Sequence, residues 1–115
     1  MPGALRLFSL AAAAAVVLGL AAAAQAADKV EVSIAIKDHR FHPAELRVPA
    51  GKPIIVKVDN QDAAAEEFEC HKLHVEKIVP AKSTGIVRLR ALKAGSYRCV
   101  GEFHEDTAKA TIIAE

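Results

Sequence analysis

Tryptophan is absent, tyrosine occurs once, and methionine occurs only as Met1. Beyond the first 26 residues the aromatic side chains are Phe41, Phe68, Phe103 and Tyr97, so the core must be thin and largely aliphatic. With no methionine after residue 1, a thioether ligand is excluded from any metal site in the later chain. An excess of charge is missing as well. Of 15 Lys and Arg only Arg6 lies in the first 26 residues, and all 14 Asp and Glu lie beyond them, so residues 27–115 are neutral before histidine is counted. That balance argues against a nucleic-acid partner, which needs a clustered excess of Lys and Arg. No apolar run after residue 26 is long enough to cross a bilayer, so the mature form is not expected to be membrane-embedded. A serine hydrolase is not expected either: Ser33, Ser83 and Ser96 all lack a Gly-x-Ser-x-Gly context and an obvious His/Asp pair.

What stands at the start reads as a signal peptide over residues 1–26. Arg6 supplies a positive n-region, Leu7 to Ala24 is an uncharged run rich in Ala, Leu and Val, and Ala24-Gln25-Ala26 fits the small-x-small cleavage rule. A retained membrane anchor is the competing reading, since the run approaches the roughly 20 residues that span a bilayer. Its alanine richness and cleavage motif favour export, to the periplasm in a bacterium. The remainder, residues 27–115, is enough for one domain.

Along that domain the apolar period is two. Val30, Val32, Ile34 and Ile36 alternate with polar or small residues; Leu46 and Val48 follow, then Ile54, Val56 and Val58, then Val87 and Leu89, then Tyr97 and Cys99, and Ala108 to Ala114 closes the chain. Pro49-Ala50-Gly51-Lys52-Pro53, Asp59-Asn60-Gln61-Asp62, Pro80 to Gly85 and Ala94-Gly95-Ser96 supply the turns. Six to eight short strands in a small exported chain predict an all-β fold, an antiparallel sandwich or barrel with Greek-key links. His71 to Val79 reads equally as strand, short helix or loop.

The chemistry concentrates in Tyr97-Arg98-Cys99-Val100-Gly101-Glu102-Phe103-His104-Glu105-Asp106, which places thiol, imidazole and carboxylate groups in the bend between two strands. Such a mixture suits a copper or iron ion, whereas a plain turn needs only Gly, Asn or Asp. A second acidic group lies at Glu66, Glu67 and Glu69. Glu67 and Glu69 share one strand face and Phe68 takes the other, so the two carboxylates either converge with His104 or form an ordinary solvated edge.

Taken in order, Phe41-His42-Pro43, Leu46-Arg47-Val48-Pro49-Ala50-Gly51-Lys52-Pro53, Val58-Asp59-Asn60, Glu67-Phe68-Glu69, Lys93-Ala94-Gly95-Ser96-Tyr97 and Glu102-Phe103-His104 resemble the cupredoxin-like domains of bacterial periplasmic iron-uptake systems. These include the EfeO-type domain and the small cupredoxin of ferrous-iron transport operons. The resemblance implies a cupredoxin-like Greek-key β-sandwich that binds an iron or copper ion and hands iron to an inner-membrane iron permease or another periplasmic uptake component. It implies Glu67, Glu69, Glu102 and His104 as ligands, with Glu66, His42 and Cys99 as further candidates. A redox role in changing ferrous to ferric iron would need only the metal and an electron acceptor.

By the same resemblance, Gly101 stands where copper-carrying cupredoxins have a cysteine ligand, and their first histidine ligand falls near Glu66 or Glu67. A blue-copper centre needs two imidazoles, a thiolate and usually a weak axial Met, so the pattern is broken at three points. Cys99 with His104 is the alternative route to a thiolate-copper electron carrier. Against it, two cysteines in an exported chain tend to pair, and Cys70 and Cys99 fall on strands that neighbour each other in cupredoxins. The pairs His39/His42 and His71/His74 are each three apart, a spacing that unites them on a helix and parts them on a strand. A metal-free interaction domain is the third reading.

Overall fold

The computed structural model describes residues 29–115, together with Gly3; the signal segment falls outside the described residues. Among the described residues nine strands form: β1 Val30–Lys37, β2 Arg40–His42, β3 Glu45–Val48, β4 Ile54–Asn60, β5 Glu66–Cys70, β6 Val75–Val79, β7 Ser83–Leu89, β8 Gly95–Gly101 and β9 Lys109–Ala114. They make a sandwich of two sheets, ordered β2-β1-β4-β7 and β3-β9-β8-β5-β6. Among the described residues no helix is long and apolar enough to cross a membrane.

The all-β sandwich matches the alternating sequence pattern, with two corrections. Both sheets are mixed, because β1 pairs parallel with β4 and β3 pairs parallel with β9. Period-two alternation reports which face a residue occupies and is blind to strand direction. The strand count also exceeds the expected range. β2 has three residues, too short to show alternation, and in β6 only Val79 is buried, so neither carries a hydrophobic period. The undecided stretch from His71 resolves into a 3₁₀ turn, His71–Leu73, followed by β6, with His74 at φ 53° making the break between them.

The inner faces supply the core. Ile34, Ile36, Ile54, Val56, Val58, Phe68 and Ile112 are all fully buried, each on the inward parity of its strand. Phe68 is the largest of them and meets Phe41 edge to face at 5.6 Å between centroids and 85° between planes. Phe68→Ala is therefore expected to cost about 3–5 kcal/mol of unfolding free energy, measured by urea titration.

Polar ties hold the loops that feed one end of the sandwich. Asn60 is fully buried and its side-chain amide donates to the carbonyls of Ala64, Val79 and Pro80 while its Oδ1 accepts from Asp62 N, which sets the path into β5. Asp62 in turn accepts from the backbone N–H groups of Asp38 and His39, residues held at φ near 55° in the β1–β2 turn. Those bonds, His39's first, keep the Asp62 carboxyl below its usual range.

Candidate metal centre

On β5 the side chains of Glu66, Phe68 and Cys70 turn into the sandwich, and Glu67 and Glu69 turn to the outer face of the five-stranded sheet. β6 lies antiparallel on one side of β5 with Glu76 directly opposite Glu69. β8 lies on the other side with Gly101 opposite Phe68, so Glu102 leaves the strand beside Glu67. Three neighbouring strands thus deliver Glu67, Glu69, Glu76 and Glu102 to one spot. One oxygen from each falls within 4.8 Å of all the others.

Like charges placed this close repel, and the cluster relieves the repulsion by keeping a proton. The Glu69 carboxyl is pushed up to about 7, first by its hydrogen bond with Glu102, then by burial and the neighbouring charge. Glu102 moves down for the matching reason, being hydrogen-bonded by Glu69 and Glu67, and Glu67 moves up through its bond with Glu102. Glu69 is only 4% exposed. Its Oε1 lies 3.1 Å from His71 Nδ1, whereas Oε2 is buried and faces acidic neighbours with no N–H or hydroxyl donor to satisfy it. A buried carboxylate oxygen without a donor is costly unless a proton or a cation satisfies it. Beside it, a recess of about 320 Å³ lined by Glu69, His71, His74, Val75 and Glu76 opens to solvent. A larger groove of about 510 Å³ adjoins this recess at His74 and Val75; it is lined also by Lys72, Arg88, Arg90 and Lys93, with no carboxylate.

His104 does not join the carboxylates. It sits in a 3₁₀ turn, Glu102–His104, and its Nδ1 lies 2.5 Å from Oε2 of the buried Glu66. Its ring stacks on His39 at 3.6 Å between centroids. The other Glu66 oxygen accepts from Phe103 N at 2.9 Å and Glu67 N at 3.1 Å. Thr107 fastens the partner loop by donating its hydroxyl to the His39 carbonyl.

The candidate ligands of the sequence therefore fall into two groups. Glu67, Glu69 and Glu102 come together, joined by Glu76, to which the sequence pattern gives no pointer, and, at one remove, by His71 of the His71/His74 pair. His104 and Glu66 pair with each other on the inner side, against the expectation that the imidazole meets the outer carboxylates. His42 is exposed on β2 and is not one of the clustered donors. Cys99 is joined to Cys70 in a disulfide and has no thiolate to offer. The parity of β5 carries the explanation for Glu66: it shares the face of Phe68 and Cys70, so its carboxylate must enter the interior.

A blue-copper donor set does not fit these residues. Both sulfurs are consumed, no methionine follows His104, and Gly101, three residues before the imidazole, has no side chain to offer. A Cβ at residue 101 would lie 2.6 Å from Glu66 Cδ and 2.6 Å from Ala108 Cβ, so a side chain there has no room. A hard cation fits the outer cluster better, since four carboxylate oxygens match its preference for oxygen donors.

Comparison with known proteins places this geometry in a family. Over 85 residues the chain is 48% identical to the uncharacterized protein RP394 of Rickettsia prowazekii (strain Madrid E), covering 73% of this chain and 67% of the relative. Among solved structures it is similar to auracyanin A, a "blue" copper protein of Chloroflexus aurantiacus. That match has a TM-score of 0.63 at 15% identity and covers 76% of this chain and 99% of the other. It is also similar to the metal-binding domain of the Cu(I)-exporting ATPase CopA of Streptococcus pneumoniae D39, with a TM-score of 0.66 at 12% identity over 76% and 87% of the two chains. These likenesses are of fold. The family model described as a cupredoxin-like domain matches residues 10–114, and the chain belongs to that family.

Proposed function

We propose that this protein is an exported cupredoxin-like carrier that takes up iron through Glu67, Glu69, Glu76 and Glu102 and presents it to an inner-membrane iron permease in the periplasm. The observation that carries this reading is the buried, unpartnered Glu69 Oε2 among three further carboxylates. A cation supplies what that oxygen lacks and replaces the retained proton. Iron suits the all-oxygen donors, and His71 beside Glu69 adds a nitrogen within reach of the same recess. Copper is the competing cargo, because the solved relatives named above are copper proteins; divalent copper would accept oxygen and imidazole donors, monovalent copper would not.

Proton displacement gives the reading a direct test. Titrating the mature protein with Fe²⁺ under anaerobic conditions, or with Mn²⁺ as a redox-inert stand-in, should show calorimetric heats that vary with buffer, as proton release requires. Apparent affinity should fall by about tenfold per pH unit for each displaced proton as the pH drops below about 7. The sign for stability runs the other way without cation. Because the folded-state Glu69 carboxyl is raised above its unfolded value of 4.5, its contribution is present at acid pH and is lost as the pH climbs from that value towards about 7. Added cation should restore melting temperature most strongly at the upper end of that window. A protein that binds neither ion at neutral pH would overturn the proposal.

A further inference from the structure

We infer that Glu66 is a positioning residue, anchoring the Glu102–His104 turn and thereby holding Glu102 in the carboxylate cluster. The inference rests on the cation-binding reading above and deepens it. Glu66 and Gly101 are matched to each other. The carboxylate lies where any side chain at 101 would project, with its Cδ 2.6 Å and its Oε1 2.9 Å from an added Cβ. Gly101 is thus the residue that admits a buried carboxylate at this point.

What the carboxylate does there follows from its three contacts. Oε1 receives the N–H groups of Glu67 and Phe103, and Oε2 meets His104 Nδ1. Glu102 lies between two fixed backbone points: Gly101 N donates to the Ala108 carbonyl at 2.9 Å, and Phe103 N donates to Glu66. One side chain therefore ties the start of the ligand strand, at Glu67, to the turn that carries the ligand from the neighbouring strand. Parity does the rest. Even-numbered Glu66 works from inside the sandwich while odd-numbered Glu67 and Glu69 face the cation site, so the strut and the ligands occupy opposite sides of a single strand. Enclosure makes the arrangement stiff: Glu66 is 1% exposed, and the His104 side chain that covers it is 25% exposed.

A pair of substitutions separates positioning from charge. Glu66→Gln keeps an oxygen for the two backbone N–H groups and an amide facing His104 but removes the charge; Glu66→Ala removes the strut. Mn²⁺ calorimetry on the mature protein should show near-native affinity for Glu66→Gln and a loss of about 10–100-fold for Glu66→Ala, the scale of an outer-shell partner. Equal losses in both variants would mean that the charge itself serves the cation, and native affinity in folded Glu66→Ala would mean that the turn needs no strut; either result overturns the inference. Should Glu66→Ala not fold, amide hydrogen exchange on the unaltered protein decides. The Phe103 amide is expected to be protected although it lies in a surface turn, and exchange at the unprotected rate would remove the anchor. If the unaltered protein binds no cation, the functional reading fails first, and that outcome is distinct from one in which it binds and Glu66→Ala binds equally.

Discussion

Replacing Glu69 and Glu102 together by glutamine is expected to lower Fe²⁺ or Mn²⁺ affinity by about 100-fold or more, beyond the 10–100-fold typical of outer-shell partners, because two direct donors are lost. Glutamine keeps the size of the side chain and a carbonyl oxygen, so the change removes charge and spares packing. The fold should not suffer. In the unaltered protein these two groups crowd each other enough to retain a proton near neutral pH, and neutral amides relieve that repulsion. The double variant should melt no lower than the unaltered, metal-free protein at pH 7, so lost binding cannot be ascribed to unfolding. Glu45→Gln is the control, since Glu45 is exposed on β3 and pairs only with Arg47. Calorimetry on the three proteins gives the answer, and unchanged affinity in the double variant would dismiss the cluster as a site.

Much of this architecture could be read from residue parity. The alternation from Val30 to Ile36 and from Ile54 to Val58 marks buried faces that the sandwich keeps, and the same rule puts Glu67 and Glu69 together on the face away from Phe68. Parity also contained a further signal: Glu66, Phe68 and Cys70 are two apart, so a buried phenylalanine implies a buried glutamate. Other features depend on pairing between strands, which one strand's period does not carry. Glu76 joins the cluster only because β6 folds back with Glu76 opposite Glu69, and β6 has one buried residue to advertise it. His39 reaches His104 through a left-handed turn pinned by Asp62, a conformation that the local residues do not announce. The Gly-Glu-Phe-His run marks a segment that contributes Glu102 to the cluster. It could not show that Glu102 and His104, two residues apart in a 3₁₀ turn, belong to different sets of partners.

Removing the disulfide should produce a large loss of stability, on the scale of emptying the Phe68 site. Cys70 on β5 and Cys99 on β8 are buried and bonded across adjacent strands, with a sequence separation of 29. In the chain-entropy model a loop of that length contributes about 3.5 kcal/mol, so Cys70→Ala/Cys99→Ala should lower the melting temperature by about 15–25 °C for a domain of this size. Scanning calorimetry of the variant beside the oxidised parent measures the difference, and a fall of only a few degrees would show that the sheet needs no such staple. The bond also bears on the site. It fastens the strand carrying Glu67 and Glu69 to the strand that leads into Glu102, so the variant should lose cation affinity as it approaches its lowered melting temperature, well before the parent does. Reduction, meanwhile, should not uncover a copper centre. Freed sulfur at Cys99 would remain inside the sandwich on the β8 position two residues before Gly101, while His104 Nδ1 stays turned to Glu66. Cu²⁺ added to the reduced protein is therefore expected to give no intense thiolate-to-copper colour. A deep blue product would mean that Cys99 and His104 reach one ion after all, and that the carboxylate at Glu66 yields its place to the metal.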